Sequence, residues 1–261
     1  VLIAFEGLSI LSLLIQKKRI PAVIWIQTAI TFVAFVILFM APGNEMRVAS
    51  EITTWMPGYK ELSVGKHLFM TIQWMLSSFA NEGKAFFIAI WTAGFLLLMK
   101  SKKAKVYQIL AVVFSVVALL PYAGISFFSE MGIGYIDIEQ RLTELPTWQT
   151  MNIQNRIAFF WWIAAVLFTM VLLWKVTGHS VFISMVFLGG IASEAVLHFS
   201  PTIYASGARV YYLTDLMYLF IILWMVMHMD SEKKKNLFIA GVVVLGVANF
   251  LSQYSIMLLK L

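Results

Sequence analysis

Continuous apolar runs, broken only by short polar joints, decide what this chain can fold into. Pro21–Met40, Ala85–Met99, Val106–Phe128, Ile157–Trp174, Val181–Phe199, Val210–Met229 and Leu237–Leu259 are unbroken rather than alternating, and Val1–Gln16 opens the chain in the same way. Runs near the roughly 17 to 25 residues that cross a bilayer read as membrane helices, whereas a barrel strand would alternate apolar and polar positions. The fold class expected is therefore all-α: a polytopic helical membrane protein with about eight transmembrane helices. Charged residues make up 12% of the chain, about half of the roughly 25% usual for a soluble domain.

Leu68–Ala80 is different. At about 13 apolar residues between Lys66-His67 and Asn81-Glu82-Gly83-Lys84, it is nearer to a re-entrant or interfacial segment than to a crossing one. If it does not cross, Lys17-Lys18-Arg19, Lys100 to Lys105, Lys175 and Lys233-Lys234-Lys235 fall on one side, eleven of the 19 Lys and Arg residues. Basic residues in short loops mark the cytoplasmic side, so the net charge of +6 is read as topogenic rather than as a nucleic-acid footprint. The external segments are then Gly43 to Lys84, polar and aromatic up to Lys66, Ser129 to Arg156, with room for a short surface helix, and Ser200 to Arg209.

The chain starts at Val1, already inside an apolar run, and is expected to be one transmembrane domain, 1–261, forming the C-terminal portion of a longer protein. It has no cysteine, which excludes disulfides and thiolate chemistry. No HExxH, P-loop, GxSxG or dinucleotide fingerprint is present, and the four histidines show no metal-ligand spacing.

Chemistry is sought at ionisable groups placed where they are costly. Ala41-Pro42-Gly43-Asn44-Glu45-Met46-Arg47 closes one run; Pro42 and Gly43 stop the helix, Gly43 by a left-handed cap, while Asn44, Glu45 and Arg47 follow as polar-ligand or phosphate contacts. Glu194 and His198, four apart, share a helix face, either as a packing pair or facing an external cavity. Arg209 stands where a helix begins, suited to a phosphate or to snorkelling at the interface, with Asp215 as its alternative partner. Glu6 lies within the first run.

Glu6, the Ala41 to Arg47 stretch and the late Ser200-Pro201, Tyr204 and Arg209 element, taken in order, resemble a family of bacterial multi-pass proteins grouped with glucosyltransferases that modify surface polysaccharides. Its members carry an Asn-Glu pair, an Ala-Pro-Gly-Asn-x-x-Arg motif and a downstream Pro-x-x-x-x-Arg-like element. Here Phe5 replaces the Asn of the pair, and Gly207-Ala208 lengthens the late element. The resemblance implies a glycosyltransferase of the GT-C type in the bacterial inner membrane, moving a sugar from a polyprenyl-phosphate donor to a cell-envelope polysaccharide or lipid on the external side. It places the acidic base upstream of Val1 and leaves Asn44, Glu45, Arg47, Glu194, His198, Arg209 and Glu6 to bind lipid phosphate and acceptor. The partners implied are the bilayer, the polyprenyl-phosphate sugar and a glycan or lipid acceptor. No cofactor is identified, and a divalent cation is left open. The rival classes are a transporter or flippase for a lipid-linked or anionic solute and a non-catalytic assembly subunit.

Overall fold

The computed structural model describes residues 2–41, 43–56, 58–123, 153–178, 180–198 and 211–258. Among them stand ten α-helices and no strand, in agreement with the all-α expectation. The helices are α1 (Leu2–Ile15), α2 (Ala22–Phe39), α3 (Asn44–Trp55), α4 (Val64–Asn81), α5 (Lys84–Leu98), α6 (Lys105–Leu119), α7 (Ile153–Val176), α8 (Val181–His198), α9 (Tyr212–Met227) and α10 (Glu232–Leu258). Within α7, Arg156–Val176 is 21 residues long and apolar enough to cross a membrane by length and composition. Ala22–Ile37, Lys84–Leu98, Lys105–Leu119, Val181–Val196 and Tyr212–Met227 are apolar but shorter. Ser129 to Arg156 was expected to hold a surface helix; its residues up to 152 lie outside the described ones, as do Phe199 to Val210.

Two expectations change at the end of α2. The stretch after Gly43 is not a loop at its start but the amphipathic helix α3, and Gly43 precedes it with φ −98° and ψ −9°, a right-handed conformation. The reason is local. Glu45 lies in the first turn, where the helix dipole favours a carboxylate, and Arg47 and Glu51 pair across one turn, so the polar residues support a helix rather than opposing one. A left-handed glycine comes later, at Gly58, φ 85°, which turns the chain into the short 3₁₀ segment Tyr59–Glu61. The segment expected as Leu68–Ala80 is also longer: α4 takes in Val64 to His67 and reaches Asn81, about 27 Å at 1.5 Å per residue.

The chain sorts into two compact units. The first contains α1, α2, α3, the start of α4, α8 and the start of α9. Here α1 packs on both α2 and α8. Polar ties join the helices: Thr31 of α2 donates to Glu6 Oε1 of α1 at 2.7 Å, and Thr214 donates to the Gly190 carbonyl at 3.2 Å. Ser193 donates to that same carbonyl at 2.8 Å and lies 2.9 Å from the Thr214 hydroxyl. Each hydroxyl owns one hydrogen, so the two of them share three contacts.

The second unit holds the end of α4, then α5, α6, α7, the rest of α9 and α10. Its core is aromatic. Phe87 touches Phe79, Trp162 and Tyr218 with ring centroids 5.1, 5.6 and 5.6 Å away, and Phe114 stacks on Phe168 at 4.9 Å. Trp91 has no exposed surface; its indole N–H donates to Thr169 Oγ1 at 2.7 Å, while the Thr169 hydroxyl donates to the Ala165 carbonyl. Next to this pair Gly94 admits Leu172 so closely that a Cβ at Gly94 would stand 2.7 Å from Leu172 Cδ2. The pairs Phe87 with Trp162, Trp91 with Thr169 and Gly94 with Leu172 rise together along both chains, so α5 and α7 run parallel.

Candidate functional site

The residues singled out from the sequence that can be placed all belong to the first unit. Asn44 is the first residue of α3, and Glu45 is exposed in its first turn. The Arg47 side chain is 75% exposed, and its Nε donates to Glu51 Oε1 at 2.7 Å. Glu51 is the more buried partner, at 18%. One edge of the guanidinium is thus held by a carboxylate rooted against the protein, while the terminal NH₂ groups point from an exposed side chain. A fork held in this way can bind a phosphate through two parallel N–H···O contacts. Sequence reading missed Glu51 because it took this stretch as a loop; once a helix is recognised, the spacing of four is the signal.

Glu6 is half-buried within α1 and accepts the Thr31 hydrogen bond, a polar tie between two apolar helices. Glu194 is 1% exposed in α8, beside Ser193 and its contact with Thr214. His198 is the last residue of α8, one turn beyond Glu194. Arg209 falls outside the described residues, so the proposed pairing of Arg47 with Arg209 is represented by Arg47 alone. The described ties hold Arg47 to its own helix and Glu6 to α2.

Near α3, His67 Nε2 lies 3.2 Å from the Tyr59 carbonyl and must donate to it, which sets the tautomer, and the His67 ring stands edge-on to Tyr59 at 4.6 Å. Burial pushes the Tyr59 phenol up from its ordinary value, so it stays protonated and can donate a hydrogen bond. Among the described residues no group of three or more His, Asp or Glu side chains is placed to hold a metal ion.

In the second unit, a cluster that the sequence did not announce gathers around Asp230. Its Oδ2 accepts from Lys100 at 2.6 Å and its Oδ1 from Lys234 at 2.9 Å, and Lys234 also donates to the Leu96 carbonyl at 3.0 Å. The hydrogen bond from Lys100, then that from Lys234, holds the Asp230 carboxyl down at about 2.

No family model matches the chain, and neither a curated protein nor a solved structure matches it.

Proposed function

We propose that the chain is a multi-pass membrane glycosyltransferase of the GT-C type, in which α3 presents Arg47 to the phosphate of a polyprenyl-phosphate sugar on the external side of a bacterial inner membrane. The membrane part of the reading rests on side chains of the wrong kind for a water-facing surface. Trp25, Ile30, Phe32 and Ile37 on α2, Leu167 on α7, Leu223 on α9 and Val244 on α10 are all exposed large apolar residues, a pattern that lipid satisfies and water does not. On this reading the chain crosses eight times and α4 does not cross, which puts the lysine-rich joints together on the cytoplasmic side.

Arg47 is the observation that carries the catalytic part. An exposed guanidinium, tethered by Glu51, stands on an amphipathic helix just after α2. There it reaches a headgroup-level phosphate while the polyprenyl tail stays between helices, and it stabilises charge on the departing phosphate as the sugar transfers. Asn44, Glu45 and Arg209 complete the polar rim on this reading, with Glu194, His198 and Glu6 placed toward the acceptor. Buried Glu194 is also what favours the rival reading, a transporter or flippase for a lipid-linked solute.

The test supplies membranes containing the protein with a radiolabelled polyprenyl-phosphate sugar and measures label reaching envelope glycan. Arg47→Ala should lower kcat/KM by about tenfold to a hundredfold, the size of a lost charged hydrogen bond, with Arg47→Lys in between. An unchanged rate in Arg47→Ala sinks the phosphate contact. Donor movement across the bilayer without sugar transfer would install the transporter reading instead.

A further inference from the structure

One end of the second unit collects most of its lysines. Since α5 and α7 run parallel, the end of α7 at Lys175 lies level with the end of α5. Tyr218, near the start of α9, touches Phe86 and Phe87 at the start of α5, so α9 also runs toward that end, and Asp230 beyond it reaches Lys100. Lys234 then brings the start of α10 to the Leu96 carbonyl. Three joints therefore meet at one level: 99–104, the end of α7, and 228–231.

The charges there divide into two classes. Lys100 and Lys234 are spent on Asp230, and Lys235 on Glu232 at 2.8 Å. Lys102, Lys105, Lys175 and Lys233 are exposed and have no carboxylate partner among the described residues. Among the described residues the acids of this end, Asp230 and Glu232, are already committed, so these four ammonium groups are open to an anion from elsewhere. Apolar side chains continue directly away from them: Val106 is 66% exposed on α6, Val171 48% on α7 and Leu237 64% on α10. Between lysines and apolar surface sit Trp174, 40% exposed, and Trp224, on which His228 stacks at 3.8 Å. Amphipathic rings at this level are characteristic of a headgroup zone.

We propose that this end binds anionic phospholipids, with the headgroup phosphates among Lys102, Lys105, Lys175 and Lys233 and the acyl chains along the exposed sides of α6, α7 and α10. The inference rests on the membrane part of the reading above but not on the glycosyltransferase part. A free phosphate would satisfy the lysines alone; the apolar surface beside them is what selects a lipid.

The experiment uses the whole chain reconstituted in phosphatidylcholine vesicles with and without brominated phosphatidylglycerol, and reads quenching of tryptophan fluorescence as relative lipid affinity. The protein should prefer phosphatidylglycerol. Replacing Lys102, Lys105, Lys175 and Lys233 together by Gln should cut that preference by about fivefold per lysine at low salt, and about 1 M salt should erase the difference. Lys66→Gln, which removes a lysine of the other unit, should leave it unchanged. Equal preference in the wild type and the fourfold variant overturns the lipid site, as does full competition by soluble glycerol phosphate. Release of the protein from membranes by alkaline carbonate overturns the membrane reading itself, which separates the two failures.

Discussion

The two units solve the same problem, holding apolar helices together, with different chemistry. In the second, helices interlock through rings and a glycine seat: Trp91 is enclosed by Phe87 and Phe114, and Gly94 admits Leu172. Its ion pairs are pushed out to the joints around Asp230 and Glu232. In the first, polar groups remain inside the helices, with Glu6 on Thr31 and Ser193 beside Thr214, and an exposed amphipathic helix is added. In the second, the buried polar tie between helices, Trp91 to Thr169, joins neutral groups. Polar groups kept within helices carry a desolvation cost, and that cost marks the first unit as the place to look for chemistry.

The contrast can be broken from either side. Trp91→Ala should have the largest effect, lowering stability by about 3–5 kcal/mol through the cavity it opens, measured by unfolding in mixed detergent micelles. A loss below about 1 kcal/mol would mean that the aromatic core is not what holds the second unit. In the first unit, Thr31→Val removes the donor to Glu6 and should cost about 1–3 kcal/mol, while Thr31→Ser, which keeps the hydroxyl, should stay near the wild type. Equal stability of both variants would make the tie incidental and erase the distinction between the units.

The smallest effect is expected at the joints. Asp230 has a folded value of about 2 against an ordinary 3.8, so its contribution is present above that ordinary value and is lost as pH falls through the lower one. Carboxyl NMR shifts should show this depressed titration, and Asp230→Asn should remove it. The pair is solvent-exposed, so high salt should shrink the effect, and a titration at the ordinary value would show that the lysine clamp does not persist in solution.

The helical class and the approximate limits of most helices were legible because an apolar run with Lys at its ends leaves few other choices. Ile157–Trp174 lies inside α7, and Val181–Phe199 overlaps all of α8. What escaped were pairings that depend on where a helix faces. Nothing in the local sequence marks Thr31 as the partner of Glu6, 25 residues away, or Thr169 as that of Trp91, 78 away. The misreading of α3 had a different cause: its polar composition masked a helix that the Arg47–Glu51 spacing supports. Of the site residues, Arg47 and Glu45 are exposed on α3, Glu6 is half-buried on α1 and Glu194 is buried in α8, a division that no local pattern distinguishes.

The bond from Lys234 to the Leu96 carbonyl spans 138 residues of chain. During synthesis α5 is complete long before its closing ammonium exists, and at roughly 5–20 residues per second the wait is about seven to thirty seconds. Over that interval the last turn of α5 has no fastening from α10. A quality-control protease or an insertion chaperone would therefore meet the second unit open at one end, and the arrival of α10 sets the moment at which it closes.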